Sequence, residues 1–117
     1  MRQRVTDSIV DLNELKDRIG DDHKYLNDLI NTYVYDLEAK LGRAKMLLIE
    51  ESLDDLLTLV QSLKGSTSYM NMHYIWQAVC LLENALKRKD LKMINIYFDV
   101  LSKEHQRLVE YIDILNN

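Results

Sequence analysis

No proline occurs in the 117 residues of the chain, and glycine occurs only three times. Turn-rich β proteins depend on these two residues for their turns, so their scarcity disfavours a sandwich or a barrel. Hydrophobic residues make up 47% of the sequence and recur at intervals of three and four, the spacing of helices with one buried face. The sequence therefore predicts an all-α fold of a few long helices joined by short connections.

Charge and cysteine content narrow the class of protein. The 19 acidic residues outnumber the 15 lysines and arginines, and the net charge of −4 disfavours broad binding to nucleic acid or to anionic membranes. The single cysteine cannot form an internal disulfide, as is typical of a reducing compartment. Residues 1–15 lack the apolar core of a signal peptide, and no apolar run approaches the roughly 20 residues of a membrane span. We therefore expect a cytoplasmic protein with a single domain over residues 1–117.

The first half of the chain has the apolar spacing of two helices. The first is short, is capped by Thr6 or Asp7 and ends at Gly20. The second follows the acidic pair after Gly20, tolerates Gly42 and runs to about Ile49. The expected inward positions are Val5, Ile9, Leu12, Leu15 and Ile19 in the first helix, and Tyr25, Leu26, Leu29, Ile30, Tyr33, Val34, Leu37, Leu41, Ala44 and Leu48 in the second.

The second half predicts three more helices. A capping box of Ser52 and Asp55 begins one of them, and Asn71, a residue that tolerates positive φ, ends it. The next ends in basic residues 87–89, and Asp90 caps the last. Because short connections make consecutive helices antiparallel, we expect an antiparallel four-helix bundle with a short additional N-terminal helix. The expected inward positions are Leu53, Leu56, Val60, Leu63, Thr67 and Met70, then Ile75, Ala78, Val79, Leu82, Ala85 and Leu86, then Ile94, Tyr97, Phe98, Leu101, Leu108, Ile112 and Leu115.

Conventional catalytic and metal-binding arrangements are missing from the sequence. His23, His73 and His105 have no second ligand at the helical spacing of a zinc site, so we interpret them as partly exposed helix residues. Cys80 has no activating base near it in sequence and is interpreted as a packing residue. No nucleophile, base and oxyanion-stabilising group come together. We expect no metal, no other cofactor and no enzyme active site.

Residues 60–68 depart from ordinary helix composition. Gly65 lies in mid-helix, where glycine costs up to about 1 kcal/mol relative to alanine. With the apolar residues turned inward, the outer face holds Gln61, Lys64, Gly65 and Ser68 at spacings of i, i+3, i+4 and i+7. Such a face is poor in side chains, lets a second surface or a phosphate approach the backbone, and offers one cation. From this pattern alone, a solvated face with a tolerated glycine is an equally good interpretation.

The run QSLKGSTSYMN at residues 61–71 resembles the signature of the histidine-containing phosphotransfer (HPt) domain, His-x-Leu-Lys-Gly-Ser/Ala-small-x-x-Leu-Gly. Residues 20–22, before the long second helix, and residues 82–90, a Leu-Glu helix with a basic end and a capping aspartate, are also similar to that family. The resemblance covers about Ile9 to Leu115. It implies a four-helix bundle with a phosphorylatable histidine in mid-helix, which exchanges a phosphoryl group with the aspartate of response-regulator receiver domains.

Two positions depart from the family pattern. Asn71 stands where the family usually has glycine, and asparagine can keep the positive φ. Gln61 occupies the phosphoacceptor position, and the lone pair of its amide nitrogen is delocalised into the carbonyl, so it is not a useful nucleophile. His73 lies past the helix end and does not replace the missing imidazole. We predict that the chain as written cannot form a phosphohistidine.

The rest of the signature is present. The resemblance implies that Lys64 neutralises a phosphoryl group, with Gly65 and the small Ser68 beside it. Magnesium would belong to the aspartate site of the receiver rather than to this chain.

Leu57, Thr58 and Ser62 lie around this face and are the expected docking residues for a receiver domain, including that of a hybrid histidine kinase. The leading hypothesis is an HPt-type domain that docks receivers but does not carry phosphate. Two origins are open: a natural pseudo-HPt protein that competes with active homologues, or an active protein carrying an engineered His-to-Gln substitution. The alternative from another class is a helical interaction or scaffold module unrelated to phosphorelay.

Overall fold

A computed structural model describes residues 9–116, and this part of the chain is all-helical and contains no strand. Its helices are α1 (Leu12–Ile19), α2 (His23–Ile49), α3 (Leu53–Tyr69), α4 (His73–Arg88) and α5 (Leu91–Asn116). The all-α prediction is confirmed for these residues. None of the helices in this range has the length and apolar character needed to cross a membrane.

Aspartate side chains define where three of the helices begin. Asp11, Asp22 and Asp90 each accept a hydrogen bond from the backbone amide three residues further along, at 3.1–3.2 Å. The caps predicted before α2 and at Asp90 are confirmed. The prediction that one N-terminal helix runs without a break to Gly20 is wrong, because the helix is interrupted at Asp11. The backbone amide of Asp11 donates to the Asn71 carbonyl at 3.3 Å. The predicted cap residues 6 and 7, and Val5, lie outside the described residues.

The capping box predicted at the start of α3 is also wrong. In the part of the chain that the structure describes, the Ser52 side chain makes no capping hydrogen bond. Its backbone amide instead donates to the Leu47 carbonyl at 2.9 Å, and the Glu51 amide donates to the Leu48 carbonyl at 3.1 Å. With Glu51 at a φ of +57°, these bonds form a Schellman motif that closes α2. The turn is therefore closed by backbone bonds and not by the serine hydroxyl.

Two further helices end in the same way. Asn71, after α3, and Lys89, after α4, both have a φ of +56°. The prediction of a positive φ at Asn71 is confirmed. Its side-chain amide also donates to the Glu14 carboxylate, and at 3.4 Å to the Asp11 carbonyl. These bonds hold α1 against the turn between α3 and α4.

Replacing Lys89 by glycine should raise the free energy of unfolding by about 1 kcal/mol, because glycine adopts a left-handed conformation without the steric cost that a side chain carries. Urea unfolding of the two proteins measures the difference. Asn71→Gly is the matched comparison and should gain less, since it also removes the bonds to α1. Equal gains at the two positions would contradict the structural role assigned to the asparagine side chain.

The core lies where α2 to α5 meet. Each of these helices contacts the next along the chain, and α2 also contacts α5. Most predicted inward positions are buried, but Tyr25 and Leu115, in terminal turns of α2 and α5, are exposed. Leu47 is more deeply buried than Leu48 at the end of α2, and Tyr111, which the spacing did not mark, is buried in α5.

Candidate functional site

An open depression of about 600 Å³ lies between α3 and α4, and we call it the α3–α4 depression. It brings together the four residues that the sequence placed on one face and adds two from the neighbouring helix. Its lining consists of Gln61, Lys64, Gly65 and Ser68 from α3, and Trp76 and Glu83 from α4.

The rotation of α3 follows from its apolar positions. Val60, Leu63 and Thr67 are buried, so the residues one position further along face outward. Thr67 is satisfied within its own helix, because its hydroxyl donates to the Leu63 carbonyl at 2.8 Å. The exposed face of α3 is therefore a direct result of the 3.6-residue period of the helix.

Glu83 is the most deeply buried polar side chain of the depression, with the residue only 5% exposed. Lys64 donates a hydrogen bond from Nζ to its Oε1 at 3.0 Å, and the Lys87 Nζ lies 3.8 Å from its Oε2. The hydrogen bond from Lys64, with the charges of both lysines and a hydrogen bond from Gln61, holds the pKa of Glu83 below its ordinary value of 4.5. Glu83 is therefore ionised at neutral pH and is the acceptor around which this site is organised.

Lys64 is not the free cation that the sequence pattern indicated. Its ammonium group is held by Glu83, and this pairing raises the pKa of Lys64 above its ordinary value. The two lysines and one glutamate sum to a single net positive charge. An anion that enters the depression must share Lys64 with Glu83 or displace it.

Replacing Glu83 by glutamine should lower the free energy of unfolding by about 1–3 kcal/mol at pH 7, because the buried carboxylate charge that pairs with Lys64 and Lys87 is lost. Since its pKa is lowered by folding, the carboxylate contributes full stability above pH 4.5 and loses it as pH falls through the folded-state value. The variant should therefore show a flatter dependence of stability on pH between about 5 and 3. Urea unfolding across this range tests the prediction, with the exposed Glu50→Gln as control. A variant curve parallel to the parent curve would contradict it.

The absence of a side chain at Gly65 has no internal cause. A Cβ atom built there meets no atom of the described residues within 4 Å. The same holds for Gly42 in α2, so an unneeded helical glycine does not by itself mark a site. What distinguishes Gly65 is that it lines the α3–α4 depression together with Lys64 and Ser68.

The predicted docking residues lie beside the depression rather than in it. Leu57 is half-buried and packs against the core, and Thr58 is exposed, with its hydroxyl donating to the Asp54 carbonyl at 3.2 Å. Both precede Gln61 by one helical turn and extend its outer face. Ser62 is turned toward α2, where its hydroxyl accepts a hydrogen bond from the Lys40 Nζ at 3.1 Å.

Sequence analysis did not assign Glu83 or Trp76 to the site. Together with Cys80 and Lys87 they lie at spacings of i, i+4, i+7 and i+11, which is one face of α4. This spacing of polar and aromatic residues on one face of α4 is the sequence signal from which Trp76 and Glu83 could have been assigned to the site. Cys80 is half-buried on this face, and burial raises the pKa of its thiol, so the sulfur stays protonated at neutral pH.

The histidines lie elsewhere in the fold. His23 and His73 are exposed at the first positions of α2 and α4, and His105 is half-buried in α5. Desolvation lowers the pKa of His105, and its buried Nε2 has no hydrogen-bond partner among the residues that the structure describes. Across residues 9–116, no three histidine, cysteine, aspartate or glutamate side chains gather in a group that could hold a metal ion.

No protein-family model, no curated protein and no solved structure matches the chain. Any functional interpretation therefore rests on the residues and geometry of the α3–α4 depression.

Proposed function

We propose that the chain is a cytoplasmic HPt-type phosphorelay domain that docks response-regulator receiver domains without carrying a phosphoryl group itself. The observation that carries the proposal is the exposed face of Gln61, Lys64, Gly65 and Ser68, which has the order of the HPt signature with an amide in place of the imidazole. In this proposal α2 to α5 are the antiparallel four-helix bundle. The contacts between successive helices and between α2 and α5 support that arrangement.

Loss of chemistry follows from the residue at position 61. Phosphoryl transfer to the chain would need a neutral imidazole nitrogen with a free lone pair, and Gln61 offers only an amide, which lines the depression together with Glu83. None of the described histidines lines the depression. The site therefore keeps the surroundings of a phosphoacceptor without the acceptor.

Docking depends on surface rather than on a nucleophile, so it can persist. The absence of a side chain at Gly65 lets a partner backbone approach the α3–α4 depression. Trp76 adds a large, partly exposed aromatic side chain to its lining. Leu57 extends the face by one turn with an apolar group. An interface with an apolar centre and a polar rim needs these elements.

The position of Trp76 provides the test. It is the single tryptophan of the sequence and lines the depression, so 5-fluorotryptophan incorporated there gives one ¹⁹F resonance that reports on this site. Titration with a panel of unlabelled receiver domains from the source organism should shift or broaden that resonance for at least one of them. An unchanged resonance across the panel contradicts receiver docking and leaves the chain as a helical interaction module of another kind.

A further inference from the structure

The outer face of α2 carries an apolar stripe that no part of the described chain covers. It consists of Tyr35, Ala39, Gly42, Met46 and Ile49, all of them exposed and spaced by four, three, four and three residues. Tyr35 is 76% exposed, Met46 54% and Ile49 66%. We call it the α2 stripe, and it extends along about 21 Å of helix.

The spacing of the α2 stripe is that of a seam between two helices. Alternating intervals of three and four keep one line of residues facing a partner helix, as in coiled coils. The buried residues of α2, among them Leu37, Leu41 and Ala44, lie on the opposite side of the helix. The stripe is therefore a second apolar face on a helix that already packs against the core.

Charged residues border the α2 stripe, with acids beside its first half and bases beside its second half. Asp36 and Glu38 flank its first half, and Arg43 and Lys45 flank its second half, all four exposed. One acid and one base lie on each side, with Asp36 and Arg43 on one side and Glu38 and Lys45 on the other. Reversing the helix direction therefore places acids opposite bases on both sides.

We propose that two copies of the chain associate through their α2 stripes, with the helices antiparallel and the two-fold axis between residues 40 and 41. Tyr35 then faces Met46 of the partner subunit. Ala39 faces the partner's Gly42, so two small residues allow the helices to approach closely at the centre. A Cβ atom built at Gly42 meets no described atom within 4 Å, so this position leaves room for a partner helix.

Charge complementarity identifies the occupant as a second copy. In this register Asp36 faces Arg43 of the partner subunit, and Glu38 faces Lys45 of the partner subunit. Two-fold symmetry repeats each pair, so four opposite-charge contacts surround one small apolar seam. Asp36 also has Lys40 within its own chain at 3.1 Å, and its half-exposed carboxylate retains oxygen surface for a second donor. The surface is thus complementary to itself without any change of fold.

The proposed dimer does not rest on the receiver-docking proposal. The α2 stripe and the α3–α4 depression lie on different helices, and no residue belongs to both. Dimerisation can therefore hold whether or not receiver domains bind.

Sedimentation velocity over a range of protein concentrations tests the dimer. We expect a reversible monomer–dimer equilibrium, and Met46→Glu should weaken it at least tenfold, because Met46 is exposed and faces Tyr35 of the partner subunit. Ile114→Glu is the matched control, because this isoleucine in α5 is 68% exposed but lies off the stripe, and it should leave the equilibrium unchanged. A monomer at every concentration, or equal effects of the two substitutions, overturns the proposal.

A charge exchange tests the antiparallel register. Glu38→Lys and Lys45→Glu should each weaken association, because each places like charges opposite each other in both halves of the dimer. The double variant should restore it. In a parallel pair, Glu38 would instead face Arg43 of the partner subunit, and Lys45 would face Glu50 of the partner subunit. The double variant would then place like charges opposite each other at both positions and associate more weakly than either single variant. That result would overturn the proposed antiparallel geometry. Thermal unfolding by circular dichroism checks that all variants remain folded.

Discussion

Replacing Gln61 by histidine is expected to convert a chain that takes up no phosphoryl group into one that accepts it from a phosphorylated receiver domain. Position 61 is exposed in mid-helix, with Lys64 one turn away and no side chain at Gly65 to block approach. The imidazole nitrogen would form a bond to phosphorus as the bond between phosphorus and the receiver aspartate breaks, and the carboxylate would leave. Lys64 would then be shared between Glu83 and the phosphoryl oxygens.

Glu83 gives the introduced histidine a defined orientation. Gln61 lines the same depression as this carboxylate and helps to lower its pKa, so an imidazole N–H at position 61 can donate to Glu83 and leave the other ring nitrogen facing solvent with a free lone pair. The same carboxylate stabilises the imidazolium form, and transfer should therefore slow as pH falls and the ring becomes protonated. Transfer to Gln61→His is thus expected to fall as the medium is made acidic.

Mass spectrometry of the chain after incubation with phosphorylated receiver measures the gain, and the acid lability of the product identifies a phosphohistidine. Ser62→His is the matched control, because it adds an exposed imidazole one residue away that is turned toward α2. It should remain unlabelled. Labelling of the unmodified chain would contradict the proposed loss of chemistry. Failure of Gln61→His with receivers that do bind would contradict the inference that the site retains the geometry for transfer.

Features of the fold that depend on residues close together in the sequence could be predicted, whereas those that depend on packing between distant residues could not. Asp22 and Asp90 cap helices through bonds to the amide three residues further along, and the positive φ of Asn71 is a local backbone preference, so these features could be predicted, whereas the bonds from the Asn71 side chain to α1 could not. Glu51 and Lys89 take the same left-handed conformation as Asn71, but their side chains carry no preference for it. Their conformation is imposed by the packing of the helices on either side of the turn, which local sequence does not contain.

In the candidate site, too, the local feature could be predicted and the contact between two helices could not. The helical period alone places Gln61, Lys64, Gly65 and Ser68 on one outer face. The bond between Lys64 and Glu83 joins residues 19 positions apart on two helices and depends on their relative register. Because that register is set by core packing, the sequence indicated a free lysine where the fold provides a paired one.

Replacing Gly65 by arginine is expected to weaken receiver docking at least tenfold, which corresponds to about 1.4 kcal/mol of binding free energy. The new side chain would project from the lining of the depression and place a charged group where the partner surface must lie. The fold should not suffer, because a Cβ at this position meets no described atom within 4 Å and arginine is a better helix former than glycine. This makes Gly65→Arg a cleaner test than Lys64→Glu, which would set two carboxylates against each other at Glu83.

Gly42→Arg is the matched control for this substitution. Gly42 is also exposed, helical and free of described neighbours at the Cβ position, but it lies on α2, outside the α3–α4 depression. At protein concentrations at which the parent is monomeric, both variants should unfold at slightly higher urea concentrations than the parent. In the ¹⁹F titration only Gly65→Arg should lose the response to receiver, and in sedimentation only Gly42→Arg should lose the dimer. Equal receiver binding by the two variants would remove the α3–α4 depression as the docking site, because the substitutions share their chemistry and differ only in position.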